Sequence, residues 1–182
     1  MVSHGIDKEM REGCMEVVMR KVKVKELSLE SFARYGSYAN MINPKAEKLG
    51  AEPIEFFRDM VGLDLGGKSI ASFSICRVCR RAGVVDVTEY HDGTGEGILP
   101  LDADVLIHVG PATAGGVVPI EKIEVFRVPK GTFVALRPGV WHHAPFAHKA
   151  DVANVLIVLP ERTYNIDCKV TELAEEDRVE IA

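Results

Sequence analysis

The chain has 182 residues, 47% of them hydrophobic and 27% charged, with 22 Lys and Arg against 27 Asp and Glu and a formal net charge of −5. That length supports a buried core, and that composition excludes a disordered chain. The acidic balance excludes a nucleic-acid partner, which would need a basic patch.

The first 21 residues form a leader, flexible or helical, in which Ile6, Met10 and Cys14 have amphipathic spacing for docking on a partner subunit. Its charged residues Asp7, Lys8, Glu9, Arg11 and Glu12 leave no apolar run for a secretory signal. No stretch approaches the roughly 20 apolar residues that cross a bilayer, so no membrane partner is expected and the location is cytoplasmic. Four cysteines at 14, 76, 79 and 168 are then expected to be free thiols. Residues 22–182 read as one domain, since no repeat or low-complexity linker divides them.

Val22 and Val24 alternate with lysines and mark a first strand, the basic residues Arg20 to Lys25 forming a solvated edge. Ser28 is placed to cap a short helix that Gly36 ends. Asn43-Pro44 opens a second predicted helix, Lys45 to Leu49, closed by Gly50. Pro53 to Met60 fits helix or irregular structure, and Gly66-Gly67 marks a turn. Beyond it strands are predicted at Ser69–Val78, Gly83–His91, Ile98–Leu101, Val105–Val109, Ile123–Val128, Thr132–Leu136 and Val155–Leu159. Gly, Pro and Asp punctuate them at the spacing of an all-β sandwich or barrel. Glu172 to Glu175 admits a late helix. The expectation is one all-β domain with a small, partly helical N-terminal lobe.

Chemistry concentrates in two runs. Val85, Val87, Glu89 and His91 share one face of a strand that passes from apolar to metal-liganding. A glycine-rich turn then returns Glu96, and Pro138-Gly139 later delivers His142. Two carboxylates and two imidazoles suit a divalent transition metal such as Ni, Mn, Fe or Zn. Cys76 and Cys79 lack the second pair a zinc site would want, and three residues apart on a strand they face opposite ways, as buried strand cysteines. A polar strand end followed by a surface turn is the bland alternative for the whole motif.

The Glu89, His91, Glu96 and His142 pattern resembles the two motifs of cupins, with glutamate at the usual leading histidine. Further residues resemble ureidoglycolate lyase: Leu29 to Gly36, Glu89-Tyr90-His91, Gly95-Glu96-Gly97 with Pro100, Gly139 to Ala147 containing Trp141-His142-His143, and Asn165-Ile166-Asp167. The likeness runs over about residues 22–175. Glu96 stands where glutamine is expected, the leader has no counterpart, and His108 is peculiar to this chain. What the resemblance implies is a double-stranded β-helix (jelly-roll) barrel, a homodimer, that cleaves (S)-ureidoglycolate to glyoxylate and urea in allantoin and purine catabolism.

For such a reaction His143, Tyr90, Asp92 and Lys130 are candidate proton-transfer groups, His143 being able to titrate near neutral pH. Alternation points its ring away from that of His142. Arg77, on a predicted core strand with Ile75 and Cys79, is the candidate clamp for a substrate carboxylate, with an internal ion pair as the alternative. Trp141 and Phe146 pack the barrel mouth or wall the pocket. The substrate class is a small ureido or hydroxy acid. Another metal-dependent cupin enzyme, such as a sugar-acid isomerase or dioxygenase, and a non-enzymatic metabolite-binding cupin remain open.

Overall fold

The computed structural model describes residues 19–182. In chain order it comprises β1 (Arg20–Val22), β2 (Val24–Glu26), α1 (Leu29–Phe32), β3 (Gly36–Asn40), β4 (Lys48–Ala51) and β5 (Ile54–Phe57). There follow β6 (Ala71–Cys79), β7 (Val84–Val85), β8 (Val87–Tyr90), β9 (Glu96–Pro100), β10 (Val105–Val109) and β11 (Glu124–Val128). The chain closes with β12 (Thr132–Leu136), β13 (Phe146–Ala147), β14 (Val152–Pro160), α2 (Thr163–Ile166), β15 (Lys169–Glu172) and β16 (Val179–Ile181).

Two sheets, β13-β10-β11-β2 and β3-β12-β9-β14-β6, face each other as a jelly-roll barrel. The alternation of each strand decides what fills it. Val105, Ile107 and Val109 of β10 and Phe126 and Val128 of β11 point inward, against Ile98, Val134, Leu136, Val155 and Ile157 of the facing sheet. Leu106 and Val125, of opposite parity, point outward and meet Val22, Val85, Leu173 and Val179 in a second apolar layer. The small sheet β1-β16-β7 covers that layer. β10 and β11 are thus buried on both faces, which explains their nearly continuous apolar sequence.

Ser28 caps α1 as expected, its Oγ accepting from Ser31 N at 3.1 Å. Phe32 locks the turn onto the core, its ring edge-on to Phe126 at 5.2 Å. Gly36 has a steric reason: a Cβ there would lie 1.9 Å from Ala135 O, so only glycine lets β3 close on β12.

The rest of the N-terminal lobe corrects the expectation of a second helix. Lys48–Ala51 is a strand, paired with β5 through Lys48↔Phe57 and Leu49↔Phe56. Five residues cannot hold a helix without tertiary support, and the hairpin satisfies their backbone instead. The Val22–Val24 strand also divides at Lys23, because β1 pairs with β16 while β2 pairs with β11. Glu172 ends β15, and a 3-10 turn follows at Glu175–Asp177. Arg20 and Lys21, assigned to the leader, belong to β1, whereas Ile6, Met10 and Cys14 lie outside the described residues. Among the described residues no helix is long and apolar enough to cross a membrane.

Candidate metal centre

β8 and β9 build the site at one end of the barrel interior. Glu89 and His91 leave the same face of β8, and the Gly93-Thr94-Gly95 turn folds Glu96 back beside them. That turn is tied down from two sides. The Asp167 carboxylate accepts from Asp92 N and Gly93 N, and Asp64 O accepts from Gly95 N and the Thr94 hydroxyl. Gly139, at φ +79°, donates its N–H to His91 O at 2.6 Å and so docks the Pro-Gly turn on β8. His142 and Glu89 then exchange backbone hydrogen bonds of 2.6 and 2.8 Å, which sends both side chains to the same face.

The rings of His91 and His142 are oriented from behind. His91 Nδ1 donates to Asp167 O at 2.8 Å, and His142 Nδ1 donates to Val140 O at 2.7 Å. A carbonyl can only accept, so each Nδ1 carries its proton and each Nε2 faces inward. Both Nε2 atoms converge on one oxygen, Glu96 Oε2, at 3.1 and 3.2 Å. Burial would raise the Glu96 pKa, but the charge and hydrogen bonds of His142 and His91 outweigh it and hold it at about 2. Burial likewise opposes charge on His142, yet Glu96 raises its pKa above the ordinary value. Three acceptors meeting in an enclosed space need a proton or a cation between them. His91, Glu96 and His142 are buried and have ligand atoms mutually within 4.8 Å, close enough together to hold a metal ion.

The family model for ureidoglycolate lyase matches residues 19–181. The chain belongs to the ureidoglycolate lyase family. No curated protein matches it significantly. Among solved structures it is similar to Bacillus subtilis oxalate decarboxylase at 13% identity and a TM-score of 0.40, over 57% of this chain and 24% of that one. It is similar to peruvianin-I, a cysteine peptidase of Thevetia peruviana latex, at 12% identity and a TM-score of 0.42, over 57% of each. Procruciferin, an 11S globulin of Brassica napus, gives 10% identity and 0.39, over 57% and 23%. The aligned part therefore spans about a quarter of the oxalate decarboxylase and globulin chains.

Within this family member, the structure disperses several predicted site residues. Arg77 lies exposed on the outer face of β6, its Nε donating to Asn154 Oδ1 at 2.9 Å, because Cys76 and Val78 take the inward positions. Tyr90 and Trp141 have the opposite parity to His91 and His142 and pack against each other, ring centroids 4.4 Å apart and planes tilted by 51°, outside the barrel. The Trp141 indole donates to Thr113 Oγ1, so it packs rather than walls the site. Lys130 is exposed in the turn after β11. Its neighbour Gly131 bonds to Pro100 O, four residues and about 13 Å along β9 from Glu96. Asp92 is exposed and paired with Lys169. His143 stays half-buried beside Glu89, separate from the Glu96 cluster, and its pKa is lowered chiefly by burial. Cys79 is exposed rather than buried, on the face opposite Cys76.

Other groups gather around the cluster that spacing did not reveal. Tyr164 of α2 sets its ring edge-on to His91 at 6.2 Å, and the Cys168 thiol donates to Glu89 Oε2 at 3.1 Å. Both follow from the docking of Asp167 behind His91. The Asn165-Ile166-Asp167 run was the signal available for them. Arg81 lies beyond the end of β6, its guanidinium 3.8 Å from the Phe146 ring and bonded to Ala144 O and Pro145 O.

Proposed function

We propose that the protein is a metal-dependent carbon-nitrogen lyase that cleaves (S)-ureidoglycolate to glyoxylate and urea, working in the cytoplasm in allantoin and purine catabolism. The observation that carries this reading is the convergence of two imidazole nitrogens on one ionised carboxylate oxygen, in a chain of this family. His91, Glu96 and His142 are the residues that would hold one divalent metal (Ni, Mn, Fe or Zn), with Glu89 at the edge. Such a metal supplies Lewis acidity, which lowers the pKa of a coordinated hydroxyl. Glu89, on the same face as His142 and at the edge of the cluster, is the base we propose for the substrate hydroxyl proton, since the ring of His143 has the opposite parity. The hydroxyl carbon becomes a carbonyl, the C–N electron pair leaves with nitrogen, and the proton returns to that nitrogen, so no water is consumed. With Arg77 on the outer face, Arg81 beside His143 is the cation for the substrate carboxylate.

The test is release of urea and glyoxylate from racemic ureidoglycolate by protein loaded with each metal in turn. Equimolar products from half of the racemate support the reading, and no product with any metal overturns it. The same two-histidine, one-carboxylate set also suits non-haem Fe(II) oxygenases, a second reading that oxygen uptake with hydroxy acids would reveal.

The homodimer is part of the proposal. Phe73 (69% exposed) and Ile75 (57%) stand on the outer face of β6, beside Leu156 and Val158 of β14. A second copy of this face is the occupant a two-fold contact would supply. Light scattering of Phe73→Ser/Ile75→Thr protein tests it: a monomer supports the assignment, and an unchanged dimer moves the contact elsewhere.

A further inference from the structure

We infer that Cys168 is a sulfur donor to the metal that the centre is proposed to hold, an assignment that rests on the metal reading above. Two ligand-competent trios share His91. One is His91, Glu96 and His142; the other is Glu89, His91 and Cys168, whose donor atoms also lie mutually within 4.8 Å. The thiol lies beside the first trio rather than within it: it donates to Glu89 Oε2 at 3.1 Å, and a turn of its side chain would bring the sulfur to an ion shared with Glu96 and His142. It is held there by its neighbour Asp167, whose carbonyl accepts from His91 Nδ1 and whose carboxylate caps the turn before Glu96. Cys168 further begins the run that continues into β15, and Lys169 of that strand pairs with Tyr90 of β8. The sulfur is therefore fixed to the same strand as Glu89 and His91, not carried on a free tail.

A thiolate changes which metals the centre prefers. Oxygen and imidazole donors alone accept Mn and Fe, whereas sulfur favours the borderline ions Zn, Co and Ni over Mn. On coordination the thiol would give up its proton to solvent and with it the hydrogen bond to Glu89 Oε2.

The probe is Co(II) bound to the intact protein, read by absorption rather than activity. Visible ligand-field bands from bound cobalt, accompanied by a near-ultraviolet sulfur-to-cobalt charge-transfer band, are expected for the wild type. The charge-transfer band should vanish in Cys168→Ser while the visible bands persist, and should survive in Cys76→Ser. Visible bands with no charge-transfer band in the wild type would overturn the sulfur assignment and leave the metal reading standing. Failure to bind cobalt at all would overturn both. X-ray absorption of the zinc-loaded wild type needs no variant and should show one sulfur neighbour at about 2.3 Å; a shell of only nitrogen and oxygen rejects Cys168.

Discussion

His142 and His108 are equally buried, at 2% exposure each, yet the protein pushes them in opposite directions. Burial disfavours charge on both. At His142 the Glu96 carboxylate outweighs it and the pKa rises. At His108 nothing does. Thr88 gives its hydroxyl proton to His142 O, so its oxygen accepts from His108 Nε2, and His108 Nδ1 is left buried with no partner among the described residues. An imidazolium there would bury an unpaired N–H among the positive neighbours His142, His143 and Arg81, and the pKa falls to about 3. The two rings are only a strand apart, one inside the barrel and the other beneath the covering sheet. What marks a site is thus the converging carboxylate, not the buried histidine.

The largest effect expected separates these rings by metal content. His142→Ala should reduce bound metal from near one per chain to background and abolish activity, exceeding the 10–100-fold that even outer partners of a metal cost. His108→Met and His143→Ala should retain metal by elemental analysis. Loss of metal from either, with His142→Ala still loaded, would place the ligand register one strand face or one residue out.

A smaller effect sharpens the comparison through pH. The folded state keeps His108 neutral down to about 3, while the unfolded chain protonates it below 6.5. The unfolded state therefore binds the extra proton in that window, and stability falls as pH drops. Between pH 6.5 and 5 this amounts to about 2 kcal/mol, which His108→Met should remove. His142 has the opposite sign in metal-free protein: its contribution is complete below 6.5 and is lost as pH rises through its raised value. Glu96 contributes above 4.5 and loses its share as pH falls toward 2. Urea unfolding in chelator at pH 5 and 7 measures the difference. An unchanged pH dependence in His108→Met would mean that the ring is charged or solvated after all.

Much of the barrel was legible because strands buried on one face or two leave a period in the sequence. Val105–Val109 and Thr132–Leu136 were located to the residue. The Lys45–Leu49 segment was not, since a Lys-Ala-Glu-Lys-Leu run has helical propensity and only its partner Ile54–Phe57 makes it a strand. Parity also separates His142 from His143, and its consistent use would have removed Tyr90 and Trp141, one residue out of phase with His91 and His142. Cys168 was harder to read for a different reason: it reaches Glu89 across 79 residues through the docking of β15 on β8, and the adjoining Asn165-Ile166-Asp167 run was its one local sign.

The smallest expected effect concerns two arginines that differ by face, as the two histidines do. Arg77 sits outside the sheet with Asn154, so Arg77→Lys should change kcat/KM by no more than about a factor of two, the range of ordinary surface substitutions. Arg81 is exposed, yet near His143 and Cys76 desolvation lowers its pKa and its fork is fixed by two carbonyls. Arg81→Lys keeps a charge but loses that fork. If Arg81 holds the substrate carboxylate, KM should rise by about tenfold or more, on the scale of one charge-assisted hydrogen bond, with metal content unchanged. The reverse result, a KM defect in Arg77→Lys and none in Arg81→Lys, would mean that the second copy proposed to seat on the outer face of β6 completes a substrate site there.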